Sequence, residues 1–332
     1  MTPRNRRAFL CQSSVLALGY ALQSPLPVQA QAGNATKLIL LGTQGGPNYN
    51  LKRGEAANLL VVNEQPYLID CGYGALRAIM QSGHNYLNIG QIFLTHLHDD
   101  HNADLPALLS HQWTQGRVTP TTVFGPYGTN TLVTAANAYN QANTDIRLVD
   151  EARSVLPSQM FSGQVVAATA SPVLVFEDRN LKVTACENTH FPEESKIHMA
   201  HRALSYRFDT ADRSIVFSGD TAYSENLVAL ARGADILVCE AMQVEIFRKA
   251  FEGMVANGNY ADNPEGIWNH IAGTHTPTVD AGRMAQEAGV GMLVLNHLIP
   301  GGLDEVGDAA YLEGVRQHFQ GTVIIGQDQL VL

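Results

Sequence analysis

The segment Phe93-Leu94-Thr95-His96-Leu97-His98-Asp99-Asp100-His101 concentrates more ligand chemistry than any other stretch of the chain. An apolar run feeds directly into the pattern H-x-H-x-D-H, which in a chain of this composition arises by chance roughly 7 times in 10,000. Residues two apart on an extended chain project to one face, so His96 and His98 can converge on one ion. Asp100 and His101, past the turn, can reach a second. Imidazole and carboxylate without thiolate suit zinc, with manganese, iron or cobalt as alternatives. A structural zinc site is closed by four protein ligands, often cysteines. Here further ligands must come from elsewhere, and His190, Asp220 and His297 each follow an apolar, strand-like run.

Such ligands need rigid carriers. Residues 38–41, 59–62 and 67–69 read as strands, a helix follows near 76–80, and 92–95 is a strand ending at the histidines. A second half has similar grammar. Strands over 173–176, 181–185, 203–208 and 215–217 precede a helix over 225–231 and a strand over 236–238. A helix over 279–288 then leads to a strand over 292–295. Two mixed β-sheets packed face to face with helices outside, an α/β class, would satisfy this pattern. No Pro/Ser-rich linker or charge run marks a boundary, and no short-period repeat appears.

The order H-x-H-x-D-H, a lone His190, Ser218-Gly219-Asp220-Thr221 and a final His297 after an apolar strand resembles the metallo-β-lactamase superfamily over essentially the whole chain beyond residue 33. It is most similar to the group that includes ribonuclease Z, arylsulfatase-type and cyclic-nucleotide phosphodiesterase-type hydrolases. Leu41-Gly42-Thr43-Gln44-Gly45-Gly46-Pro47 and Leu68-Ile69-Asp70-Cys71-Gly72 look like that family's first glycine turn and its aspartate-glycine strand end. The resemblance implies the metallo-β-lactamase fold, an αββα four-layer sandwich, around two zinc ions, or manganese or iron in their place. His96, His98 and His190 would hold the first metal and Asp100, His101 and His297 the second, with Asp220 bridging. Asp70 would buttress the histidine loop. His275, in Gly273-Thr274-His275-Thr276-Pro277, would stand near the metals without binding them, as a proton donor or a clamp on transition-state charge. His198 and His201, the rivals of His190, read as surface imidazoles. His84, His111, His270 and His318 read as surface or packing residues.

Two metal ions about 3.5–4 Å apart favour hydrolysis of an ester at phosphorus, sulfur or carbon, with Asp100 accepting a proton and His275 helping the leaving oxygen depart. Flavodiiron proteins carry Glu where this chain has His98, which argues against redox chemistry. Metallo-β-lactamases usually lack the aspartate at the place of Asp220 and the His275 motif. Ribonuclease Z inserts a long RNA-gripping arm between the third histidine and the bridging aspartate, whereas 29 residues separate His190 from Asp220 here. The expectation is therefore hydrolysis of a small sulfate or phosphate ester with an organic leaving group. Lactone or β-lactam opening is the alternative, and a non-catalytic metal-binding protein the third class. Residues 241–271, with Phe247, Phe251, Met254, Tyr260 and Trp268, read either as a lid giving an apolar wall to the leaving group or as an outer helix whose aromatics are core.

Residues 1–32 read as an export signal. Arg4, Arg6 and Arg7 are followed by an apolar run over 15–22 and by Ala30-Gln31-Ala32. Arg6-Arg7-Ala8-Phe9-Leu10 resembles the core of a twin-arginine signal, which predicts a periplasmic or secreted hydrolase domain over 33–332. The run falls short of the roughly 20 residues that span a bilayer, so no stable membrane anchor is expected. Removing those three arginines and no acid takes the formal charge from -10 to -13. With no cluster of Lys and Arg after residue 33, nucleic acid is not an expected partner and a small-molecule ester is. Cys71, Cys186 and Cys239 sit in apolar runs and give no disulfide framework. Oligomeric state stays open, a homodimer included.

Overall fold

Along β1 (Lys37–Gly42), Leu38 and Leu40 point into one apolar core while Ile39 and Leu41 point into another. A strand buried on both faces, with its side chains alternating between them, must lie between two covering layers. The computed structural model, which describes residues 36–47, 50–191, 201–301 and 307–332, supplies both. The expected export signal, residues 1–32, lies outside the described residues.

The first sheet holds, in spatial order, β1, β2 (Ala57–Val62), β3 (Gln65–Ile69), β4 (Gln91–Phe93), β5 (Thr121–Gly125) and β6 (Phe161–Val165). Its first three strands pair antiparallel and the rest parallel. The second sheet runs β13 (Thr322–Ile325), β12 (Met292–Ile299), β11 (Ile236–Met242), β10 (Ser214–Phe217), β9 (Leu204–Thr210), β8 (Leu181–Glu187) and β7 (Val173–Glu177). There β7 to β10 pair antiparallel and β10 to β13 parallel. Phe93, Phe124, Tyr206, Phe208 and Phe217 fill the space between the sheets, with Phe93 stacked on Phe124 at 5.0 Å and edge-on to Phe208 at 5.1 Å. Each such ring pair adds about 0.5–1.5 kcal/mol beyond its buried area.

Helices α1 (Ala75–Gln81), α2 (Leu105–Thr114), α3 (Thr129–Tyr139), α4 (Gln141–Asp150) and α5 (Pro157–Met160) lie on the first half of the chain. Leu105, Leu108, Trp113 and Val133 of α2 and α3 cover the outer face of the first sheet. On the second half, α6 (Glu225–Leu230), α9 (Thr278–Ala288) and α10 (Asp308–Val315) cover the other sheet, packing Leu227, Met284 and Tyr311 over Leu237, Leu293 and Leu295. The result is the expected αββα sandwich. α7 (Val244–Ala256) and α8 (Pro264–Thr274) form a further pair around Phe247, Phe251, Met242 and Ile299. No described helix is long and apolar enough to cross a membrane.

Two differences from the sequence expectation have simple causes. The strand expected over 92–95 ends at Phe93: Leu94 N still bonds the Phe124 carbonyl of β5, but the Thr95 amide leaves the ladder for the Asp70 carboxylate. β5, β6 and β13 fall outside the expected strands. β6 and β13 are edge strands whose residues are largely part-exposed, so they lack the apolar run that marks a central strand.

Candidate metal centre

The candidate ligands gather on one rim of the sandwich, on the loops that follow β4, β8 and β10 and on a bulge within β12. After β3, Asp70 (φ 58°) accepts from the Thr95 amide at 2.8 Å, the Thr95 hydroxyl at 2.9 Å and His101 Nδ1 at 2.9 Å. That one carboxylate fixes the loop that carries the histidines after β4. The loop closes in a single 3₁₀ turn, Asp99–His101, burying Asp100 and His101. After β8, Asn188 donates to the Ser218 carbonyl at 2.9 Å and accepts from the His190 amide at 3.1 Å, tying His190 to the end of β10. Asp220 follows Gly219, whose φ of 59° suits glycine and whose missing Cβ would meet the Thr95 side chain at 2.8 Å. His297 is an extra residue in β12: Glu240 pairs with Asn296 and Ala241 with Leu298, so the bulge turns His297 (φ 41°) towards the rim.

These loops bring the ligand atoms into two adjoining pockets. His96, His98 and His190 form one, and Asp100, His101, Asp220 and His297 the other, with the atoms of each group within 4.8 Å of one another. In the first, His98 Nδ1 faces His96 Nε2 at 3.0 Å and His190 Nε2 at 3.2 Å. A tetrahedral zinc with nitrogens at 2.0–2.1 Å would set them about 3.4 Å apart. In the second, Asp220 Oδ1 lies 3.2 Å from His101 Nε2 and 3.3 Å from His297 Nε2, while its Oδ2 lies 3.7 Å from His96 Nε2. Asp220 thus stands between the pockets. His101 Nε2 and Asp220 Oδ1 are buried without a hydrogen bond among the described residues. Buried polar atoms left open and aimed at one point are what a cation would satisfy, so the donor set fits a metal.

Electrostatics separates the pockets. Burial pushes the pKa values of His96 and His190 well below the ordinary imidazole value, and His98 is also lowered by burial. The acids reverse this in the second pocket. Burial disfavours charge there too, but Asp220 with Asp100 and Glu240 outweighs it and holds His297 at about 10. Against its own burial, Asp100 is drawn down to about 2 by His101 and His297.

His275 begins where α8 ends, and its Nδ1 meets Glu240 Oε2 at 2.7 Å. Glu240, 2% exposed in the middle of β11, also accepts from the Thr221 amide and lies 3.6 Å from His297 Nδ1. Sequence reasoning missed it. The signal was a single acid inside the apolar run Ile236–Met242, a placement too costly to keep without a partner. All seven sequence-expected ligands meet at this rim, and His275 joins them. His270, expected as surface or packing, instead edges the adjoining cavity. His201 is exposed and lies by Tyr127, and His198 lies outside the described residues. Cys71, Cys186 and Cys239 are buried free thiols and belong to neither ligand group.

Comparison with known proteins follows the same lines. Residues 66–298 match the model of the Beta-lactamase superfamily domain. A Ribonuclease Z from Mycobacterium sp. (strain KMS) is 29% identical over 266 residues, 80% of this chain and 84% of that one. The solved structure of human tRNase Z, short form (ELAC1), superposes with a TM-score of 0.60 at 20% identity, covering 89% of this chain and 98% of its own. The metallo-β-lactamase fold protein YhfI from Bacillus subtilis gives 0.61 at 18% identity, covering 90% and 100%.

The ribonuclease relatives overturn two expectations, the small sulfate or phosphate ester as substrate and the exclusion of nucleic acid as partner. A net charge of -10 is a poor guide because it sums the whole surface. At the rim, bound divalent cations would offset the buried carboxylates and offer coordination positions to phosphate oxygens, which a whole-chain charge does not register.

Proposed function

We propose an RNA phosphodiesterase: the chain belongs to the metallo-β-lactamase superfamily of metal-dependent hydrolases, and its substrate is a phosphodiester bond in RNA. One observation carries this reading. Two adjoining donor pockets share Asp220 in a chain matched over four fifths of its length by a relative named Ribonuclease Z.

His96, His98 and His190 would hold one ion and Asp100, His101 and His297 the other, with Asp220 between them. Zinc suits this donor set, and manganese or iron are the alternatives. When bound, such a pair supplies Lewis acidity to phosphoryl oxygens and makes water a nucleophile near neutral pH. The remaining work falls to the chain. Asp100, held as a carboxylate by His101 and His297, accepts the proton lost by the attacking water. Glu240 takes the Nδ1 hydrogen of His275 and leaves Nε2 as the edge that faces the substrate. Burial alone would discharge that imidazole, but Glu240 raises its pKa, so it can deliver a proton to the leaving oxygen.

The test is incubation of purified, zinc-loaded protein with end-labelled single-stranded and hairpin RNA. Cleavage that stops with chelator and in Asp220→Ala is expected. Intact RNA from protein carrying two ions per chain would sink the reading.

Independently, residues 1–32 are proposed to direct twin-arginine export to the periplasm, on the strength of Arg6-Arg7 and the apolar run that follows. Replacing both arginines by lysine should leave the protein in the cytoplasmic fraction. Undiminished periplasmic protein would point to an ordinary secretory signal.

A further inference from the structure

The cavity beside the ligand cluster has two unlike sides. It holds about 220 Å³, and His98, Asp100, Asp220 and His275 form only one flank. The facing flank is apolar, built from Phe247 of α7, Ile267 and Ile271 of α8, and Ile299 at the end of β12. This wall is anchored. Phe247 is 6% exposed and stacks on Trp268 at 6.4 Å, and it shares an apolar cluster with Met242, Phe251 and Ile299. The backbone behind it is pinned by Met242 N to the Thr276 carbonyl at 2.7 Å and Gln243 N to the Ile299 carbonyl at 2.8 Å. A phosphate gains nothing from an apolar face, whereas a flat, weakly polar ring gains by covering it.

At the rim stands His270, with its ring 6.1 Å from that of His275. The Thr274 hydroxyl donates to the His270 carbonyl at 2.8 Å. Its lone pairs then face His270 Nδ1, at 3.4 Å, a contact that favours the tautomer with the ring hydrogen on Nδ1 and Nε2 as an acceptor. An acceptor beside a proton donor to the leaving oxygen matches a ribose, whose neighbouring hydroxyl is a donor that deoxyribose lacks.

Resting on the RNA reading, we infer that this cavity is a nucleoside subsite, in which the base of the nucleotide bearing the leaving oxygen packs on Phe247, Ile267, Ile271 and Ile299 while its 2′-hydroxyl donates to His270 Nε2. The subsite makes the enzyme selective for a ribonucleotide at that position through local contacts, without an RNA-gripping insertion.

Calorimetric titration of the zinc-loaded protein with adenosine 3′-monophosphate, its 2′-deoxy counterpart and inorganic phosphate tests this without depending on turnover. The ribonucleotide should bind about tenfold or more tighter than phosphate, the contribution expected of one packed base. Ile271→Asn should narrow that ratio to about twofold or less, because half-buried Ile271 then presents an amide to the ring. Ile271→Trp, which fills the cavity instead, should narrow it too, and an unchanged melting midpoint in either variant excludes misfolding. His270→Ala should erase a ribo-over-deoxy preference of about three- to tenfold, the range of one net hydrogen bond. Equal binding of nucleotide and phosphate by the wild type, or a ratio that survives both Ile271 variants, overturns the subsite. RNA left uncleaved while the ratio holds would remove the RNA reading and keep the subsite. Cleavage without the ratio would do the reverse.

Discussion

The two ligand pockets sit side by side and are built on opposite electrostatic plans. His96 and His190 are buried and His98 half-buried, and the outer nitrogens of the two buried imidazoles lean on neutral oxygens: His190 Nδ1 on the Thr274 carbonyl at 3.1 Å and His96 Nδ1 beside the Thr95 hydroxyl at 3.2 Å. The neighbouring pocket mixes imidazole with carboxylate, and acids stand behind it as well, Asp70 on His101 at 2.9 Å and Glu240 near His297 at 3.6 Å. Burial disfavours charge in the first pocket, whereas the second sets imidazoles against carboxylates of opposite charge. A cation in the first therefore replaces only the weak contacts of His98 Nδ1 with His96 Nε2 and His190 Nε2. In the second it must displace protons that His101 and His297 hold. The imidazole pocket is expected to load first and at lower pH.

The harshest test of this contrast is Asp220→Ala, because Asp220 is the one group common to both plans. Its loss should lower RNA cleavage by about 10⁴-fold or more, several kcal/mol at about 1.4 kcal/mol per decade. Elemental analysis should find both ions diminished. A variant that keeps two ions would show the pockets to be independent.

His275→Ala should cost about 10²- to 10⁴-fold in kcat with metal content unchanged, as expected of a proton donor that is not a ligand. Glu240→Gln should cost less, about 10- to 100-fold, since a neutral amide still positions the ring but no longer favours its charged form. If His275→Ala sheds metal, His275 belongs to the ligand set of the carboxylate pocket. His297→Ala separates the pockets from the other side. It should lose the second ion alone, lower activity by about 10²-fold at limiting zinc, and recover in part with excess zinc. Loss of both ions would contradict the proposed loading order.

How far the sequence disclosed this arrangement depended on how each residue is carried. His96, His98, Asp100 and His101 are contiguous, so spacing alone placed them. His190, Asp220 and His297 were recoverable because each follows an apolar run at the place where the resembled family carries a ligand. The bulge that aims His297 was not legible, since one extra residue in β12 leaves no mark on the hydrophobic pattern. Glu240 was hidden for a related reason. Within a strand buried on both faces, Ile236–Met242, every residue faces some core, and only the fold says that this one faces a histidine. The tertiary setting of His270 was equally invisible, because the rings it packs against, His98 and His190, are more than 75 residues away in sequence. The exclusion of nucleic acid failed where net charge stood in for local charge, and the small-ester expectation failed because it also rested on the short His190–Asp220 spacing. Composition averages over the whole surface, whereas the proposed phosphodiester site occupies one rim.

The smallest expected effect discriminates most finely between the pockets. Asp70 touches no candidate ligand of the imidazole pocket directly except through Thr95, but it accepts directly from His101 Nδ1. A carboxylate behind a ligating imidazole raises its basicity and fixes its tautomer, and its loss typically costs about 10- to 100-fold in metal affinity. Asp70→Asn preserves the size of the side chain and one oxygen for the Thr95 amide, so the loop from residue 94 to 101 should keep its course. Zinc titration of the metal-free variant should then show the first ion binding as in the wild type and the second weakened by that factor. Cleavage should saturate only at higher zinc, with the same maximal rate. Weakening of both ions together would mean that Asp70 acts by holding the whole loop, and that the electrostatic difference between the two pockets does not govern their order of filling.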